Sequence, residues 1–81
     1  MSAEKSKPKP RSELLQNIGR NIRRERLAKK IKQKDLADYI GSNYATITKY
    51  ETGKINISMD KLSKIAECLD VPVETLVKQE K

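Results

Sequence analysis

GSNYATITKYETG, residues 41–53, decides the fold. Two glycines fence a segment in which Thr46, Ile47 and Thr48 follow one another, and a β-branched run favours a strand by propensity. The placement of its one strong aliphatic points the other way. Ile47 stands three residues from Tyr44 and three from Tyr50, which is helical spacing. No second run in the chain alternates with period two, so a strand here would lack a partner. The segment therefore reads as a helix ending at Thr52, with packing overriding its intrinsic preference. Asn43, or Ser42 before it, is placed to cap that helix, and Gly53 suits the left-handed stop after it.

Working outward, QKDLADYIG (33–41) carries Leu36, Ala37 and Ile40 on one face and ends on Gly41. About eight residues cannot hold a helix alone in water, so this one needs neighbours. The link to the next helix is short, and Ala37 is small enough for the two to cross closely. Upstream, Ser12 offers an N-cap, and Leu14 or Leu15, Ile18 and Ile22 form one stripe. Arg26 falls one turn further along that stripe, where it either reaches solvent or is buried with a partner. Downstream, SMDKLSKIAECLD (58–70) has Ser58 as cap, Asp60 near the positive helix end, and Leu62, Ile65, Ala66 and Leu69 as its stripe. Pro72 breaks it and starts a last short helix with Val73, Leu76 and Val77, which plugs the core or faces a second subunit. The pattern predicts an all-α, five-helix fold.

The chain has 81 residues, enough for one domain. Its net charge of +7 is uneven: residues 1–34 hold 12 Lys/Arg against 3 acids, and residues 35–81 hold 6 against 8. A basic half on a mildly acidic domain suits a polyanion partner, although a basic solubilising tail gives the same balance. Histidine is absent and Cys68 is the one cysteine, which excludes an internal disulfide, a His/Cys zinc site and a His-activated nucleophile. No enzyme activity, metal or cofactor is expected, and Cys68 reads as a small buried hydrophobe. With neither a signal-peptide core nor an apolar run long enough to span a bilayer, the expectation is a cytoplasmic protein without membrane contact. Residues 1–11, which include KPKP, read as a disordered basic arm, and residues 12–81 as the folded domain.

Two short helices joined through a glycine turn form a helix-turn-helix, whose second helix enters the major groove of DNA. Ile22-Arg23 and Arg26, then Gln33, Leu36-Ala37, Ile40-Gly41, Ile47, Tyr50-Glu51 and Gly53, then Leu62, Ile65-Ala66, Leu69 and Val71, together resemble the Cro/C1-type (Xre) family. The likeness covers about residues 14–77 and implies a compact lambda-repressor-like DNA-binding domain. It implies that Arg26 pairs with Glu51. It places Asn43, Tyr44, Ala45, Thr48 and Lys49 at base-reading positions, where Lys49 would donate to guanine, and Ala45 or a threonine methyl would touch thymine. Lys32, Gln33, Lys34, Thr46, Thr52, Lys54 and Asn56 would meet phosphates.

The resemblance further implies a homodimeric transcriptional regulator on double-stranded DNA, of the small phage-repressor or restriction–modification controller kind. Val73, Leu76 and Val77 are the expected dimer contact. Asp35 and Asp38 match a helix that touches RNA polymerase in some activators, against the plain reading of two solvated acids favouring the helix dipole. Three positions depart from the pattern: Lys30 where glycine is common, Lys32 where a Ser or Thr cap is common, and Glu25 where an aliphatic is common. Two other functions fit the same charge pattern: an antitoxin-like module that binds DNA only within a complex, and a non-specific nucleic-acid or co-activator bridge that works through the arm.

Overall fold

Helical periodicity in the sequence becomes five helices in the computed structural model, which describes residues 10–79: α1 (Arg11–Ala28), α2 (Gln33–Ile40), α3 (Tyr44–Glu51), α4 (Met59–Leu69) and α5 (Val73–Val77). α1 packs on α3 and α5, and α2 packs on α3 and α4. One core gathers Ile22 from α1, Leu36, Ala37 and Ile40 from α2, Ile47 and Tyr50 from α3, Leu62, Ile65, Ala66 and Leu69 from α4, and Leu76 from α5. On α1 the stripe runs through Leu15, half-buried, while Leu14 is exposed.

The termini of these helices follow local chemistry. Asn43 caps α3, its side chain accepting from the Thr46 amide, and Ser58 caps α4 by accepting from the Lys61 amide. Gly41 and Gly53 both take φ +72°, the left-handed stop expected of them. Lys30 is also left-handed, at φ +60°, and so carries the strain that a glycine there would avoid. α1 begins at Arg11 with Pro10 at its N-cap, two residues ahead of what a Ser12 cap would give. Arg11, assigned above to the basic arm, is therefore helical, and residues 1–9 of that arm lie outside the described residues.

Two features of α1 hold the other helices against it. Gly19 sits against the end of α3: a Cβ there would fall 2.4 Å from the Tyr50 carbonyl oxygen and 2.5 Å from that of Glu51. Asn17 and Asn21, both buried, face the chain's far end. Asn21 Nδ2 donates to the carbonyls of Leu76 (2.9 Å) and Lys78 (3.0 Å), and Asn17 Nδ2 donates to that of Lys78 (2.7 Å). These bonds satisfy carbonyls that a five-residue helix leaves open.

The expected dimer contact needs correction at Leu76. It is fully buried and closes the core, because α5 crosses α1 and α4 with that side chain inward. Val73 is half-buried against the same core, so of the three only Val77, 40% exposed, lies open. Cys68 is likewise part-buried against the core rather than enclosed by it.

Candidate nucleic-acid interface

A buried ion pair fixes the helix that the interface is built on. Arg26 and Glu51 are each only 6% exposed. Arg26 donates from Nε to Glu51 Oε2 at 2.6 Å, from Nη2 to Oε1 at 3.1 Å, and from Nη1 to the Ile31 carbonyl at 2.9 Å. Two parallel bonds of this kind fix orientation as well as distance. Gln33, the first residue of α2, adds Nε2 to Glu51 Oε1 at 3.1 Å, and the Arg23 guanidinium stands 3.8 Å from the same oxygen. The end of α3 is thereby tied to α1 and to the start of α2.

With Ile47, Tyr50 and Glu51 facing inward, Tyr44, Ala45, Thr48 and Lys49 share the opposite side of α3, all exposed. Tyr44 is the most open of the α3 aromatics at 63% exposure. Asn43 divides its amide: Oδ1 accepts from the amide and hydroxyl of Thr46 at 2.9 and 3.1 Å, which leaves Nδ2 as the donor end. Thr46 is half-buried with its hydroxyl spent in that cap, so it offers less to a phosphate than the sequence suggests.

Around this stripe lie residues expected to meet phosphates. Lys32 is the N-cap residue of α2 and makes no side-chain cap, so the first amides of α2 retain the anion preference of a helix start. Lys34 is exposed and stands 3.9 Å from Asp38. Thr52, Lys54 and Asn56 follow α3, all exposed. Asn56 accepts from Arg11 Nε at 3.0 Å, and the two residues line a shallow groove with Ser12, Leu15, Gly53, Lys54 and Ile55. Arg11 thus joins this side of the molecule. Sequence reasoning missed it because its partner lies 45 residues away.

Asp35 and Asp38 are exposed on α2. Tyr39, on the same helix, has its phenol pushed above the ordinary value, first by desolvation and then by the charge of Glu67. Burial pushes the Cys68 thiol up, with the charge of Asp35 adding to it. No helix among the described residues is long and apolar enough to cross a membrane.

A five-helix domain with an ion-locked third helix and a polar outer stripe is a helix-turn-helix domain of the lambda-repressor type. The sequence model of the helix-turn-helix family matches residues 22–76, and the chain belongs to that family, in its Cro/C1-type branch of DNA-binding transcriptional regulators. A solved structure of the restriction–modification controller protein C.AhdI from Aeromonas hydrophila superposes with a TM-score of 0.78 at 28% identity, covering 84% of this chain and 99% of that one. The P22 c2 repressor, crystallised with a synthetic operator, gives 0.72 at 25% identity over 80% of this chain and 98% of that one. An uncharacterised transcriptional regulator in the ATPase CF(0) region of Rhodospirillum rubrum is 38% identical over 58 residues, 72% of this chain. The chain spans about half the length of that relative, the match taking 54% of it.

Proposed function

We propose that the protein is a sequence-specific transcriptional regulator that binds a palindromic operator as a homodimer in the cytoplasm, with α3 in the major groove. One observation carries the reading: the exposed stripe Tyr44, Ala45, Thr48 and Lys49 rides on a helix whose other side is held by a buried ion pair. A surface helix with no reading task has no need of so rigid a mount. Lys49 and the Asn43 amide supply donors for base edges, and Lys32, Lys34, Gln33, Thr52, Lys54 and Asn56 supply the phosphate contacts that set register. Two-fold symmetry would set the recognition helices about 34–36 Å apart, one turn of B-DNA. The operator complex of the P22 c2 repressor and the controller role of C.AhdI support this assignment by likeness. Val77 and the edge of Val73 are what α5 retains for a dimer contact. Asp38 faces Lys34, and Asp35 lies in the first turn of α2, so in this reading both acids serve α2 itself rather than RNA polymerase.

Selection from a randomised duplex library at about 150 mM salt tests the proposal, because weaker salt lets phosphate contacts mask base choice. The expected result is a two-fold symmetric site with half-site centres one helical turn apart. Absence of any enriched site would turn the assignment toward a protein-binding module.

A further inference from the structure

Arg23 is more than the ion pair at the end of α3 calls for. Glu51 Oε2 is taken by Arg26 Nε at 2.6 Å, and Oε1 by Arg26 Nη2 and Gln33 Nε2, each at 3.1 Å. Arg23 Nη1 stands 3.8 Å from Oε1, beyond hydrogen-bond distance. Its side chain is 59% exposed, whereas that of Glu51 is buried. Two guanidiniums therefore face one carboxylate, and the surplus charge lies on the solvent side. Gly19, one turn earlier, brings Arg23 there by letting α1 lie against the Tyr50 and Glu51 carbonyls.

That solvent side adjoins the outer stripe of α3. Gln33, bonded to the same Glu51 oxygen, is the first residue of α2, and its carbonyl end accepts from Thr48 Oγ1 at 3.4 Å. Arg23 thus stands beside the start of α2, whose uncapped amides already favour an anion. Arg11 holds the matching place at the other end of α1. Its Nε donates to Asn56 Oδ1 at 3.0 Å, in the loop after α3, and Lys54 lines the same groove. A guanidinium has five N–H donors, so the outer nitrogens of Arg11 keep hydrogens for a further acceptor. Twelve residues of helix set the two arginines about 18 Å apart along α1.

The planar fork of an arginine matches two oxygens of a phosphodiester. Neither arginine lies on the outer stripe of α3, so their ligand is the backbone of the nucleic acid rather than a base edge. We infer that Arg23 and Arg11 are phosphate ligands supplied by α1, Arg23 extending the group at the start of α2 and Arg11 the group in the loop after α3. This rests on the DNA-binding reading above. It assigns to α1, a helix outside the helix-turn-helix, a share of the affinity and none of the base choice.

The test is the salt dependence of duplex binding by the full chain, followed by fluorescence anisotropy between about 50 and 200 mM salt. Both the enriched duplex and one of random sequence are measured. The slope of log affinity against log salt should fall by about 0.9 per bound protomer in Arg23→Gln, and by the same amount in Arg11→Gln. The ratio of affinities for the two duplexes should hold, because a phosphate contact carries no sequence. Arg23→Lys keeps the charge and should keep the slope. Lys64→Gln, an equal loss of charge at an exposed position of α4, should also leave it unchanged. Replacing single phosphates by uncharged methylphosphonates should identify the partner, the position that weakens binding by wild type but not by Arg23→Gln. Slopes unchanged in both glutamine variants at positions 11 and 23, or falling as far in Lys64→Gln, would overturn the inference while the operator reading stands. These slopes with no enriched site would keep the inference and overturn the operator reading. A chain that binds no duplex would overturn both.

Discussion

Arg26 grips Glu51 through two bonds, Nε to Oε2 at 2.6 Å and Nη2 to Oε1 at 3.1 Å, with both side chains almost entirely out of water. Desolvation offsets much of the attraction within such a pair, but removing one partner strands the other charge. Arg26→Ala should therefore cost about 3–5 kcal/mol, a large share of what an 81-residue domain has to lose. Thermal melting by circular dichroism should show the variant unfolding at or near room temperature. A melting curve unchanged from wild type would mean that the pair contributes nothing.

Gly19→Ala should destabilise, against the usual sign. In a helix interior alanine ordinarily gains about 1 kcal/mol over glycine. Here the added Cβ would stand 2.4 Å from the Tyr50 carbonyl oxygen, a backbone atom that cannot rotate away. α1 must back away from α3, which also stretches the Arg26–Glu51 bonds. A loss of about 1–3 kcal/mol, typical of overpacking, is expected in urea denaturation. Equal or greater stability would show that the two helices have room between them.

Lys30→Gly should do the reverse. Lys30 holds φ +60° at the end of α1, where an L side chain costs about 1–2 kcal/mol. Glycine relieves that strain but brings more freedom to the unfolded chain, worth about 0.4–1 kcal/mol. A net gain of up to about 1.6 kcal/mol should appear as a higher denaturant midpoint with the same slope. A lower midpoint would mean that the lysine makes a contact worth more than its strain.

The helix register was legible because period, caps and glycine stops agreed, and they agreed even over the β-branched Thr46–Ile47–Thr48 run. Arg26 at an aliphatic position announced that it needed a partner, but only the family likeness supplied Glu51. The use of Gly19 was not legible, because it depends on backbone atoms of Tyr50 and Glu51 that spacing cannot place. Nothing in the sequence marks Asn17 and Asn21 for burial, since the carbonyls that justify it lie 61 and 55 residues on. Leu76 was undecided between core and interface because five residues are too few for a period.

Asn21→Ala should release the end of the chain before the rest. α5 has five residues, too few to persist by itself, and Asn21 holds its last carbonyls at Leu76 and Lys78. Removing the amide leaves the Leu76 carbonyl without its donor, while Asn17 still donates to Lys78, at a cost of about 1–3 kcal/mol. That cost falls first on local opening of α5. Amide hydrogen exchange at Leu76 and Val77 should accelerate by about tenfold to a hundredfold, while Ile47 and Leu36 keep their protection. Because Val77 is the open residue of the proposed dimer contact, sedimentation should show the variant's self-association weakened at concentrations where it is still folded. Exchange that accelerates equally in α3 and α5 would instead make Asn21 part of the global core, and unchanged self-association would place the dimer surface away from α5.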